Sequence, residues 1–492
     1  MAHRAVQGMK TGRPSPFLVI RDAHSFNLIL PIFKYCKHFY KTLPLQQKSK
    51  NQTLMNLTGK TFLTCAAAFL LTSAQVQAQH SAADSVYQHA KGNRLSIGGY
   101  GEVALTRNFY SDNVYRYSNA SQYKNDPSHG RFDIPHAVIY ISYDFGKGWS
   151  MSTEIEFEHG GAGGAVEKEF EEAGEWEQET EKGGEVELEQ FWIQKSFARW
   201  ANIRIGHIVV PVGLTNAHHE PLNFFTVYRP EGESTILPCT WHDTGISFWG
   251  RSGDFRYELQ FIAGLDAFMF DRDNWVQNGA GSPFEFKVAN KYGFAARIDN
   301  YTIPGLRIGL SGYYGQSMHN TYPHDMEGEG KANDKVKGNV YIGAFDFTYS
   351  GHNWIVRGNA DYGYVSDASK ISAIKRNLVS SGAPYKKSPV GKNAVAAGIE
   401  AGYDIFSQIP KLRNKNQKLY AFGRYEYYDS YIPAADQADY EYTDRNRMAV
   451  GLNYYPVPQI VVKGEYSKRF LKSKYNDEPS VSIGVAYQGF FL

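Results

Sequence analysis

The feature that most constrains this chain is a repeated unit of about ten residues in which polar and apolar side chains alternate, followed by a break. In the first unit, Leu95 and Val103 fall on one face, whereas Glu102 and Thr106 fall on the opposite face. A period of two residues is typical of a β-strand with one apolar face. The last unit, around Val481, has the same alternation, so the first and last strands match as closure of a barrel requires.

The pattern predicts an all-β fold of about sixteen strands, give or take two. The strands predicted between the two end strands lie near 132–144, 149–159, 186–198, 201–209, 242–250, 254–264, 291–300, 306–315, 339–349, 353–364, 394–405, 418–428, 444–455 and 459–469.

The connections alternate between short and long, and only the turn at Ser407–Gln417 departs from this rule. Short periplasmic turns and long extracellular loops are the signature of a transmembrane antiparallel β-barrel. A large soluble β-sandwich or solenoid could also alternate. The uniform strand length favours the barrel, as do aromatic residues that crowd strand ends like membrane girdles. These residues are Tyr140, Tyr143, Phe145, Trp149, Tyr425, Tyr427, Tyr454 and Tyr455.

The segment before the barrel predicts export. Residues 55–78 combine a basic start, an apolar run and a small-residue cleavage site, which is typical of a Sec signal peptide cut after Ala78; a short buried helix is the alternative. We interpret 1–54 as a mis-assigned upstream extension, with a functional extension as the alternative, 79–93 as a periplasmic N-terminal segment and 94–492 as the barrel. Without residues 1–78 the chain keeps 42 basic and 49 acidic residues, so nucleic-acid binding has no support.

The polar face of each strand predicts the residues that line the lumen. We expect most of them either to be solvated in a water-filled lumen or to form cross-strand ion pairs, and only a few to control selectivity. The predicted pore-lining residues are Glu102, Glu154, Glu156, Arg204, Arg256, Arg297, Arg307, Arg357, Arg424, Glu426, Arg447 and Lys463.

The long connection from Pro211 to Trp241 is the candidate for a constriction, because it is rich in polar and aromatic residues. We expect this third loop to fold into the lumen; the alternative is an ordinary surface loop. Its candidate selectivity residues are His218, His219, Glu220, Arg229, Glu231 and Glu233.

Catalysis and bound cofactors find little support in the sequence. His207, His218, His219, Glu220 and His242 do not have the spacing of a helix-borne or paired-ligand metal site. We therefore expect no metal or cofactor. No nucleophile elbow is present, so we do not expect an enzyme either. The run from Glu167 to Glu189, with eleven Glu and two Lys, predicts a solvated loop.

Four segments, in this order and spacing, resemble the phosphate-selective porin O and P family in its Bacteroidetes form. They are RFDIPHAVIYISYDFGKGWSMSTEIEFEH, ELEQFWIQKSFARWANIRIGHIVVPVGL, LYAFGRYEYYDS and VGLNYYPVPQIVVKGEYSKR, and the resemblance covers about residues 92–492. It implies a sixteen-stranded barrel, commonly a homotrimer, with phosphate passage through a basic constriction.

The mixed charges of this lumen do not match the basic ladder that phosphate selectivity requires. Arg204, Arg229, Arg424 and Lys463 are the residues to test as anion contacts. We therefore predict a porin in the outer membrane of a Gram-negative cell, in contact with lipid, through which small hydrophilic solutes or ions diffuse passively. The alternative is a structural or adhesin barrel with an occluded lumen.

Overall fold

A computed structural model describes residues 94–160, 163–170, 176–182, 184–216, 218–281, 287–320, 335–377, 387–471 and 477–492. The predicted upstream extension, signal peptide and N-terminal segment at 1–54, 55–78 and 79–93 lie outside the described residues.

The described residues are mostly β-strand. The strands are β1 Leu95–Asn108, β2 His129–Asp133, β3 His136–Gly146, β4 Trp149–Glu158, β5 Gly163–Phe170, β6 Trp176–Lys182, β7 Glu185–Ala198, β8 Ala201–Val209, β9 His242–Ser252, β10 Phe255–Ile262, β11 Gly293–Asn300, β12 Leu306–Gln316, β13 Asn339–Gly351, β14 Trp354–Val365, β15 Asn393–Asp404, β16 Lys418–Ile432, β17 Asp444–Val457, β18 Ile460–Phe470 and β19 Glu478–Phe490. The short helices are α1 Ala120–Tyr123, α2 Glu231–Ile236, α3 Ala368–Asn377 and α4 Pro410–Arg413. Among the described residues, every helix is too short or too polar to cross a bilayer.

The main sheet closes on itself as an antiparallel barrel. Strands β2 and β3 both pair with β1 and occupy one position in the wall, which therefore has sixteen positions. β1 also pairs with β19, in register from Gly98 opposite Phe490 to Asn108 opposite Ser480. The predicted strand number and closure are confirmed. Among the described residues, β5 and β6 form a separate antiparallel pair in the connection between β4 and β7.

The two faces of the wall differ as the alternation predicts. Val103, Ile205, Leu259 and Ile483 belong to a large set of exposed apolar side chains on the outside of the barrel. In water this surface would be unfavourable, whereas in a bilayer it matches the lipid chains, and closure leaves no unpaired strand edge. The protein is an outer-membrane β-barrel.

The turns also follow the predicted alternation. At the β3–β4 turn, Gly148 has φ +77, and a Cβ there would lie 2.4 Å from the carbonyl oxygen of Ser196. Only glycine fits such a position without strain. The longer connection predicted at Ser407–Gln417 begins at Ile405 in the structure, with a 3-10 helix, Ile405–Gln408, followed by α4.

The interior contains apolar packing that the alternation does not reveal. At the long-loop end of the barrel, the third loop, the β10–β11 connection and α3 fold inward against side chains from β7 to β16. This buried core includes Val210, Val212, Ile236, Leu237, Trp241, Leu265, Phe268, Phe270, Trp275 and Ile371 from the connections, and Trp192, Ile208, Ile262, Tyr313, Ile342 and Tyr428 from the strands. The expected girdle residue Tyr140 is likewise buried, in contact with Tyr100 inside the barrel. Its assignment to the girdle is wrong because it occupies an inward phase of β3.

Candidate functional site

The third loop, residues 210–241, leaves the wall after β8 and returns at β9. Its ends are held together by Asn216, whose side-chain nitrogen donates to the carbonyl oxygen of Val210 at 2.5 Å. The side-chain oxygen of Asn216 accepts a bond from the backbone N–H of Trp241, also at 2.5 Å. The Val210 N–H donates to the Trp241 carbonyl oxygen at 2.8 Å. The side-chain amide of Asn216 therefore holds the two ends of the loop together.

The middle of the loop is attached to a distant part of the wall. Lys463 on β18 donates through Nζ to three loop carbonyl oxygens, those of Pro221 at 2.6 Å, Phe224 at 3.0 Å and Thr226 at 2.8 Å. On the same strand, the Glu465 carboxylate accepts the N–H of Val227 at 2.8 Å. The loop thus crosses the interior, and the surface-loop alternative is wrong for its described residues.

Helix α2 fastens the returning part of the loop. Glu231 Oε1 accepts from Arg469 Nε at 2.5 Å and from the hydroxyl of Tyr428, and Glu231 Oε2 lies 3.3 Å from Arg447 Nε. Burial alone would raise the pKa of Glu231, but the charges of Arg469 and Arg447 and these hydrogen bonds lower it to about 2. Glu231 is therefore an ionised anchor of the loop.

Glu233, two residues further along α2, stabilises the loop from within. Its carboxylate accepts the backbone N–H groups of Leu214, Thr215 and Asn216 at 3.1, 2.7 and 3.3 Å. Both acidic residues of α2 are thus engaged in holding the loop.

One side of the lumen is a connected series of ion pairs, which we call the paired wall. It begins where Arg297 on β11 binds Asp299 and, through Nη2, both carboxylate oxygens of Asp346 on β13 at 2.9 and 3.0 Å. Arg307 lies 2.9 Å from Asp299 and 2.5 Å from Asp346, and Arg256 lies 3.9 Å from Asp299. Three arginines therefore surround two aspartates.

The paired wall continues across β14 to β18. Glu400 accepts from Arg357 at 2.5 Å and from Arg424 at 3.2 Å. The second carboxylate, Glu426, lies 3.0 Å from both Arg424 and Arg447. Arg447 also donates to Glu465 at 2.9 Å. Cations and carboxylates alternate, so this wall carries little excess charge.

Arg204 on β8 has a different environment. Its guanidinium lies over the rings of Trp192 at 4.5 Å and Trp249 at 5.5 Å, and its Nε donates to Gln194 at 3.3 Å. A guanidinium packed on indole faces gains from the negative ring face.

The opposite side of the lumen is an acidic wall, formed by four buried carboxylates: Glu102 on β1, Glu154 and Glu156 on β4, and Glu189 on β7. The third loop supplies Arg229, whose Nη2 lies 3.9 Å from Glu156 Oε1 and donates to the hydroxyl of Tyr100 at 3.3 Å. His136 contacts Glu156 at 2.5 Å through Nδ1.

The twelve predicted pore-lining residues all point inward and expose at most 7% of their surface. Those in the paired wall form ion pairs with carboxylates on the same or neighbouring strands. In the third loop, His218, His219, Glu220 and Glu233 are buried, and Arg229 and Glu231 are partly exposed. Sequence reasoning missed Glu189, because a β-bulge between β4 and β7 pairs Glu154 with Gln190 and Ile155 with Leu188, which turns the extra residue inward.

Comparisons with known proteins give distant similarity. No family model matches the chain. A curated relative, an uncharacterized protein of Aquifex aeolicus (strain VF5), is 28% identical over 409 residues, which are 81% of this chain and 80% of the relative. Among solved structures, an anion-selective porin from Comamonas acidovorans is similar with 9% identity and a TM-score of 0.46, covering 80% of this chain and 99% of that chain. Salmonella typhi OmpF in complex with daunomycin has 10% identity and a TM-score of 0.47, over 81% and 98%. The outer membrane channel DcaP of Acinetobacter baumannii has 12% identity and a TM-score of 0.43, over 80% and 97%.

Proposed function

We propose that this barrel is a porin, through which small hydrophilic solutes or ions cross the outer membrane passively and without catalysis. The observation that supports it is the closed wall whose inner face carries charges of both signs at the level where the third loop crosses. A barrel wall that only needed to be stable could fill this level with apolar side chains, since replacing buried ion pairs by apolar groups is often neutral or stabilising. Retained charges favour contact with hydrated solutes.

The charge distribution favours weak selectivity over phosphate specificity. Arg357, Arg424 and Arg447 each contact at least one carboxylate in the paired wall, and the acidic wall faces the same lumen. A phosphate channel needs cationic donors directed at the anion. We therefore propose general diffusion, and keep phosphate passage and a trimeric assembly as expectations from the family resemblance.

An occluded structural barrel is the second candidate. The inward-folded connections around Trp241 and Phe268 fill part of the long-loop end, and the inner charges are buried. Both observations favour a narrow or closed path.

Single-channel recording in a planar bilayer with a KCl gradient separates the two candidates. Discrete conductance steps with a small reversal potential are expected of the porin; silence at demonstrated protein insertion would establish the occluded barrel instead. Addition of phosphate tests the finer resemblance. We expect phosphate to leave the chloride current unblocked at submillimolar concentration, whereas block would identify a phosphate-binding constriction.

A further inference from the structure

One part of the acidic wall contains three polar groups that converge on a common point. Glu154, Glu189 and His219 each present one ligand atom, and these atoms lie within 4.8 Å of one another. All three residues are at most 1% exposed. Two carboxylates buried this closely need positive charge beside them, from a protonated His219 or from a bound cation, because like charges in a poorly hydrated site repel strongly.

In each of the three residues, one polar atom is fixed by a neighbour and the other has no hydrogen-bond partner among the described residues. Gln190 donates to Glu154 Oε2, and Thr240 donates to Glu189 Oε1. The atoms without a partner are Glu154 Oε1, Glu189 Oε2 and His219 Nε2. Orienting contacts on one atom of each ligand are the usual second layer around a bound metal.

The histidine tautomer strengthens this reasoning. His219 Nδ1 lies 3.0 Å from the carbonyl oxygen of Asn216, which can only accept, so Nδ1 carries a hydrogen. In the neutral ring, Nε2 then directs its lone pair towards Glu154 Oε1, 3.7 Å away. Two lone pairs facing each other are unfavourable, so either a proton on Nε2 or a bound metal ion must lie between them. A separation of this size lets an ion sit about 2.1 Å from both atoms, the usual zinc–nitrogen and zinc–oxygen distance.

We propose that Glu154, Glu189 and His219 bind a divalent transition-metal ion such as Zn²⁺ inside the lumen. An imidazole nitrogen with carboxylate oxygens favours zinc-like ions over Ca²⁺ and Mg²⁺, which prefer oxygen ligands alone. The ligands come from β4, β7 and the third loop, so the ion joins the loop to the acidic wall. Three protein ligands leave a coordination position for water or a solute. The β-bulge is what brings Glu189 into this set.

Isothermal titration of chelator-treated, detergent-folded full-length protein with Zn²⁺ alone tests the site. We expect about one tight site per chain, with affinity reduced at least about tenfold in Glu189→Gln and His219→Ala. Ca²⁺ in place of Zn²⁺ should give no comparable heat.

The control is His207→Ala, because His207 Nε2 contacts His242 Nδ1 at 2.5 Å and forms a second place where zinc could associate. This variant should keep the tight site. Folding of every variant is checked by the altered gel migration of unheated barrel. Absence of tight Zn²⁺ binding in the unmodified protein overturns the proposal. It is equally overturned if binding survives both ligand substitutions or is lost only in His207→Ala. Crystals soaked in Zn²⁺ provide an independent measurement, since an anomalous peak is expected between His219 and Glu154.

Discussion

Arg297 Nη2 donates to both carboxylate oxygens of Asp346, and this ion pair joins β11 to β13 across the intervening strand β12. The pair passes over Gly309 on β12, where an added Cβ would lie 2.4 Å from Arg297 Nη2 and 2.8 Å from an oxygen of Asp346. The absent side chain at Gly309 is therefore a condition for the contact.

We expect Gly309→Ala to lower barrel stability by about 1–3 kcal/mol, because the methyl group displaces a buried charged pair whose hydrogen bonds have no substitute. Thermal unfolding, followed by the loss of fast gel migration, measures the effect. Gly343→Ala on β13 is the matched control, since a Cβ there meets nothing within 4 Å. Equal unfolding temperatures of the two variants would contradict the argument.

Arg447 is the point where the paired wall meets the third loop, since it contacts Glu426, Glu465 and Glu231. Replacement by Gln leaves buried carboxylates without their shared cation, and we expect a loss of about 3–5 kcal/mol. Lys468→Gln is the control, because its pair with Asp477 is partly exposed and surface pairs contribute little. A loss in Arg447→Gln no larger than in the control would show that the paired wall is not coupled in this way.

The anchor at Glu231 gives a pH dependence with a defined sign. Its pKa is lowered to about 2 in the folded protein from 4.5. A lowered pKa means that the stabilisation is complete above the unfolded value and is lost as the pH falls through the folded value. The difference in unfolding temperature between the unmodified protein and Glu231→Gln should be constant from pH 7 to about 5 and shrink towards pH 2. A difference that vanishes already near pH 5 would refute the anchor.

Lys463 should control the mobility of the third loop. Met has similar length but no donor, so Lys463→Met leaves the carbonyl oxygens of Pro221, Phe224 and Thr226 without this contact. If the barrel conducts, we expect noisier single-channel currents and a larger mean conductance. Lys468→Met, on the same strand, should leave the trace unchanged. A quiet trace in Lys463→Met would mean that the loop is held by its other contacts.

The strands and the inward phase of their charges could be predicted because a period of two residues is a local property of the sequence. Partners could not be predicted in the same way: whether Arg424 meets Glu400 depends on the register of neighbouring strands. The inward position of Glu189 depends on a single bulged residue, and Tyr140 looked like a girdle residue although its phase points inward. The inward folding of the connections depends on packing between distant segments, and an alternation pattern carries no information about such packing.

The antiparallel pairing of β1 with β19 has a consequence for biogenesis. One edge of β1 pairs with β2 and β3, but its other edge is paired only by β19, roughly 380 residues later in the chain, so an incomplete barrel has unpaired edges able to recruit other chains. Strand β19 therefore closes the barrel, and its loss would leave an open sheet whose unpaired edges promote aggregation.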